Sequence, residues 1–118
     1  TTILDPKDCP DMVYFIPVPK SPHGCDVDPT GEYIVGNGKL SADMSIYSFD
    51  KIMAAIEAKD FVGEIDGIQI INYESGLHGI LKKPGLGPLH TEFDGKGNAY
   101  TTFFISSEVV KWDVQKLE

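Results

Sequence analysis

Two histidines, His23 and His90, each follow a proline-bearing rigid stretch, Pro19-Lys-Ser-Pro22 and Pro84-Gly-Leu-Gly-Pro88. Imidazole nitrogen suits copper, zinc, iron and nickel, so a matched pair of histidines is a candidate ligand pair. The competing reading is a histidine that only hydrogen-bonds at a strand start. No carboxylate occupies the matched position, so calcium or magnesium is not the ion expected there. His78, in Gly-Leu-His-Gly, reads as a loop histidine. Cys9 and Cys25 form no Cys-x-x-Cys pair, which excludes zinc-ribbon and thioredoxin-like chemistry. They read as a buried thiol or surface residues, and a disulfide between them requires an oxidising compartment.

The histidines belong to an internal repeat and are offset from each other by 67 residues. His23 is followed ten positions later by Tyr33, and His90 ten positions later by Tyr100. Between them lie Val27-Asp28 and Phe93-Asp94, then turns ending in Gly31 and Gly97. Each copy closes on an aromatic–Asp pair, Phe49-Asp50 and Trp112-Asp113. The offset exceeds the roughly 40–50 residues of a common propeller blade. A helix and loop between Lys51 and Lys83 account for the excess.

The elements that must carry these residues are short. Met12–Val18, Glu32–Val35, Ser45–Phe49, Ile68–Tyr73, Asn98–Ile105 and Glu108–Val114 read as β-prone runs. Gly36, Asn37 and Gly38 read as a break. Asp50 is the expected cap of a helix to about Lys59, with Ile52, Met53 and Ile56 on its buried face. Gly63–Gly67 reads as the end of the helical region, and Glu74–Lys83 as a loop. The expected fold class is all-β, with antiparallel four-stranded blades of a β-propeller and one short helix. The expected organisation is repeat one at about 12–50, the insertion at about 51–83 and repeat two at about 84–114. Two blades cannot close a ring, because propellers need about four to eight.

The chain has 118 residues, a net charge of −8 and no apolar run of membrane-spanning length. Its acidity argues against nucleic-acid partners and suits basic protein partners such as small cationic electron carriers. It starts on Thr-Thr-Ile-Leu without Met, which suits a processed or excised piece.

The strings around the histidines resemble the propeller domain of nitrous oxide reductase. They are Pro22-His-Gly-Cys-Asp-Val-Asp-Pro-Thr-Gly-Glu-Tyr-Ile-Val, Gly36-Asn-Gly-Lys-Leu-Ser, Gly85-Leu-Gly-Pro-Leu-His-Thr-Glu-Phe-Asp-Gly-Lys-Gly-Asn-Ala-Tyr-Thr-Thr and Val109-Val-Lys-Trp. The resemblance covers the chain from about Met12 onward. It implies about two blades of a seven-bladed propeller, with a tetranuclear copper-sulfide cluster held by seven histidines, His23 and His90 among them. It implies periplasmic reduction of N₂O to N₂ and water in denitrification. The parent would be a homodimer, fed by a c-type cytochrome or cupredoxin through a dinuclear copper centre in a domain absent here.

By the same resemblance Lys39 matches a lysine at the cluster edge, where an ammonium could donate a proton. Glu92 matches a nearby glutamate that could orient an imidazole or pair with Lys39. Lys111 matches a position whose main-chain carbonyl binds structural calcium. The upstream paired-histidine motif, the last cluster ligand and the electron-entry residues have no counterpart here. The chain alone is therefore expected to be inactive. Two other readings compete: a non-catalytic propeller-like binding or scaffolding module, and a mononuclear metal site in an oligomer.

Overall fold

The computed structural model describes all 118 residues. Antiparallel sheets dominate it, with few helices, an architecture compatible with part of a propeller. The elements run from a 3-10 turn (Pro6–Asp8) through β1 (Pro22–Val27), β2 (Tyr33–Gly38) and β3 (Met44–Ser48) to α1 (Phe49–Glu57). Then come β4 (Phe61–Ile65), β5 (Ile68–Ile71), α2 (Tyr73–Gly76), β6 (Leu77–Leu81), β7 (Pro88–Phe93), β8 (Asn98–Phe103) and β9 (Glu108–Asp113). The strands form a four-stranded sheet β1-β2-β3-β6, a three-stranded sheet β7-β8-β9 and the small hairpin β4-β5.

Several expectations shift. Gly36–Gly38 continue β2 instead of breaking it. A Cβ on Gly38 would lie 2.6 Å from the Lys20 carbonyl oxygen, so glycine here serves a close approach of two backbones. Met12–Val18 forms no strand; only Phe15 bridges to Ile70, because Pro17 and Pro19 remove the donors a ladder needs. Gly63–Gly67 is a hairpin, not a helix end. Asp66 and Gly67 have φ of 52° and 81°, the conformation that an Asp-Gly turn between strands favours. His78 lies in β6 rather than a loop, and its Nε2 is 3.2 Å from the Gln115 carbonyl. Helix α1 is capped by Ser48, whose Oγ accepts from Lys51 N at 3.2 Å, not by Asp50. Ala55 is its one buried residue, and Met53 is 47% exposed.

The two larger sheets face each other. Val35, Met44, Ile46 and Leu81 of the first pack with Ala99, Phe103 and Trp112 of the second and with Val114 just after it, all buried. In β8 burial alternates strictly after Asn98, with Ala99, Thr101 and Phe103 inward and Tyr100 and Thr102 outward. Every residue of β3 is buried, because the sheet's far face is covered as well. A polar seam crosses the interface. Trp112 Nε1 donates to Thr101 Oγ1 at 2.9 Å, which sits 2.8 Å from Thr91 Oγ1. Asn37 Nδ2 donates to the Leu89 carbonyl at 3.1 Å. The seam fixes the register of one sheet on the other, since buried polar atoms must keep their partners.

Candidate metal centre

Strands β1 and β7 run alongside each other where the two sheets meet. Each carries a bulge. In β1 the register slips between Pro22, opposite Gly38, and Cys25, opposite Gly36. In β7 it slips between Pro88, opposite Phe103, and Thr91, opposite Thr101. Such an extra residue leaves the ladder locally unpaired and re-aims side chains. His23 lies in the first bulge and His90 in the second, so both are inside the strands.

The bulges nest. Gly24 is buried, and a Cβ there would lie 1.9 Å from the Leu89 carbonyl oxygen and 3.1 Å from His90 Nδ1. Only a residue without a side chain admits the second bulge so closely. The outcome is that the rings of His23 and His90 meet edge to face, with centroids 5.1 Å apart and planes at 68°. Both residues are exposed.

The ladders correct the repeat. Cys25 and Asp26 pair with Gly36 and Val35 as Thr91 and Glu92 pair with Thr101 and Tyr100. On that match His90 takes the place of Gly24, one residue from the place of His23. Tyr47, opposite Ile34, matches Trp112, opposite Ala99. Phe49 instead begins α1. The histidines thus meet through nested bulges, without strict equivalence.

Three groups of the first sheet hold the second bulge. Asn37 binds the Leu89 carbonyl, Gly24 receives it, and Asp26 Oδ2 accepts from Thr91 N at 2.8 Å. The other Asp26 oxygen lies 3.6 Å from His90 Nδ1. Sequence reasoning missed Gly24, Asn37 and Asp26. Asp26 occupies the ladder position of Glu92, a match that only the strand register reveals.

The remaining expected residues scatter. Lys39 is half-buried, and its amide donates to the Ser21 carbonyl at 2.9 Å. Glu92 is exposed and makes no ion pair with Lys39; Asp26, not Glu92, faces the imidazole. Lys111 is exposed in β9 opposite Tyr100, which is opposite Glu92, so the three form one row across the sheet. The Asn98 amide and the Lys96 backbone hydrogen-bond to the Asp94 carboxyl and hold it below its ordinary range, with a smaller contribution from the Lys111 charge. Cys9 and Cys25 are both free, and burial followed by the Asp26 charge pushes the Cys25 thiol up.

Exposed, adjacent imidazoles suit a transition metal as donors. No group of three or more His, Cys, Asp or Glu side chains gathers around them. The chain therefore supplies a pair of donors rather than a closed site.

No protein-family model matches the chain. It is 43% identical over 121 residues to a nitrous-oxide reductase of Stutzerimonas stutzeri, covering 98% of this chain and 17% of that protein. It is 41% identical over 114 residues to the enzyme of Pseudomonas fluorescens, covering 95% and 16%. Against that of Cupriavidus necator it is 36% identical over 110 residues, covering 93% and 15%. Over nearly its whole length, then, this chain is similar to one segment, about 15–17%, of the nitrous-oxide reductases.

Proposed function

We propose that the chain acts as a segment of a nitrous-oxide reductase, an oxidoreductase that converts N₂O, two protons and two electrons to N₂ and water. The observation that carries this reading is the pairing of His23 and His90 across nested bulges, within a chain so similar to that enzyme. The histidines serve as two ligands of a tetranuclear copper-sulfide cluster, and the other ligands come from outside these residues. Copper held there would supply the two electrons that the reduction of N₂O requires.

The chain's own residues do the rest. The paired bulges present both imidazoles on an open face. Lys39 follows Gly38, the partner of Pro22, so it lies at the same end of the sheet as His23. There its ammonium holds a proton for the departing oxygen. Glu92 is a nearby carboxylate of the same site, and the Lys111 carbonyl is a calcium ligand.

The larger frame is a seven-bladed propeller, with the two facing sheets as two of its blades. The outward row of Glu92, Tyr100 and Lys111 is the face that the next blade would cover. The enzyme is a periplasmic homodimer that takes electrons from a c-type cytochrome or cupredoxin, to which an acidic surface is complementary.

The test is to purify the full product of the gene that encodes this segment, load it with copper and supply an artificial reductant. N₂ production from N₂O is the expected result. A copper-replete protein that leaves N₂O untouched overturns the reading. The isolated chain is expected to take up no stoichiometric copper in dialysis against Cu(II). Tight binding of one copper per chain would favour a mononuclear site instead.

A further inference from the structure

We infer that Asp26 is the positioning residue for His90. It reaches across from the first sheet so that Nδ1 of His90 faces a carboxylate and Nε2 is left for a metal. This rests on the ligand reading above and adds a residue and a nitrogen to it.

Asp26 is held by a second bond that fixes where its carboxylate points. Oδ2 accepts from the Thr91 backbone at 2.8 Å, which aims Oδ1 at the imidazole of the preceding residue, 3.6 Å from Nδ1. The Asp26 side chain is 24% exposed, while that of His90 is 61% exposed, so the carboxylate is the sheltered partner and the ring the presented one. The backbone beneath the ring is also fixed. Asn37, itself 1% exposed, holds the Leu89 carbonyl, and Gly24 leaves no slack under it.

A carboxylate beside one imidazole nitrogen favours the tautomer with its proton on that nitrogen. It also makes the other nitrogen a better donor, and such partners fix ring orientation in metal sites. His23 has no equivalent: it forms no ion pair, and its ring meets that of His90. The two ligands are therefore unequal, one braced by the facing sheet and one not.

The first measurement uses the wild-type chain without metal. Imidazole ¹⁵N NMR above the histidine titration range should show His90 with its proton on Nδ1 and a bare Nε2. The reverse tautomer overturns the proposal, and no substitution is needed to see it.

The second uses the copper-loaded full-length protein carrying Asp26→Asn, whose amide oxygen still accepts from Thr91. The variant should unfold at a temperature close to wild type. It should lose copper to a competing chelator at roughly 10–100-fold lower chelator concentration, and its visible band should shift. Copper retention and spectrum equal to wild type would overturn the role of Asp26. Failure of the ligand reading is separable: in that case His90→Ala itself leaves copper content unchanged.

Discussion

The two facing sheets are built to the same pattern and buried differently. In the first, β3 is buried at every position, because the core packs on one face and α1 with the Ile16–Val18 segment covers the other. In the second, Ala99, Thr101 and Phe103 are buried while Tyr100 and Thr102 point outward, and Val109 is 65% exposed. The matched residues Tyr47 and Trp112 reflect this. Tyr47 sends its hydroxyl out of its sheet to the Pro17 carbonyl at 2.7 Å, tying down the covering segment. Trp112 turns its indole N–H inward to Thr101. The first sheet is a finished layer, and the second depends on its single buried face for all its packing.

That contrast makes Trp112→Ala the most damaging change. It removes a large side chain that is 2% exposed and strips Thr101 of its donor. The expected loss is about 3–5 kcal/mol, read by denaturant unfolding. A loss below about 1 kcal/mol would mean that the second sheet draws its stability from elsewhere.

Gly24→Ala comes next and probes the junction between the sheets. The added Cβ meets the Leu89 carbonyl, a backbone atom that cannot swing aside. Overpacking of this kind costs about 1–3 kcal/mol, and the imidazoles should separate. NMR contacts between the His23 and His90 rings should vanish while those within each sheet persist.

The smallest effect concerns the junction's far edge. The Lys83 backbone, followed by the Lys82 ammonium at 3.2 Å, hydrogen-bonds to the Asp43 carboxyl and holds it below the usual carboxylate range. A lowered folded-state pKa contributes stability that is present above the unfolded value and is lost as pH falls through the folded one. Asp43→Asn should therefore cost under about 1 kcal/mol at neutral pH, because the pair is exposed. The difference from wild type should close on acidification in thermal unfolding.

Much of the strand content was legible because hydrophobic runs and turn residues are local signals. Asp28 and Asp94 do open matching turns, with Gly31 and Gly97 at φ of 78° and 94°. The Asp66-Gly67 turn was also legible, and the neighbouring helix pattern masked it. What the sequence hid were effects of register. The two bulges match, Pro22 with Pro88 and Cys25 with Thr91, so His90 matches Gly24 by ladder although it matches His23 by words. Strand β6 pairs with β3 residues that lie 30 or more positions earlier in the chain, so nothing local announces that Leu77–Leu81 completes the first sheet. The same holds for Asp26, whose partners Thr91 and His90 are more than 60 residues away.

The histidine pair itself was legible, and its meeting at 5.1 Å is what the fold adds. Copper content per protein, measured in the full-length product after His90→Ala, tests the ligand assignment most directly, with His78→Ala as the control on the far side of the sheet. The ligand assignment predicts that His90→Ala loses the cluster's copper and visible absorption while the protein stays folded, and that His78→Ala keeps both. Unchanged copper in the His90 variant would contradict it.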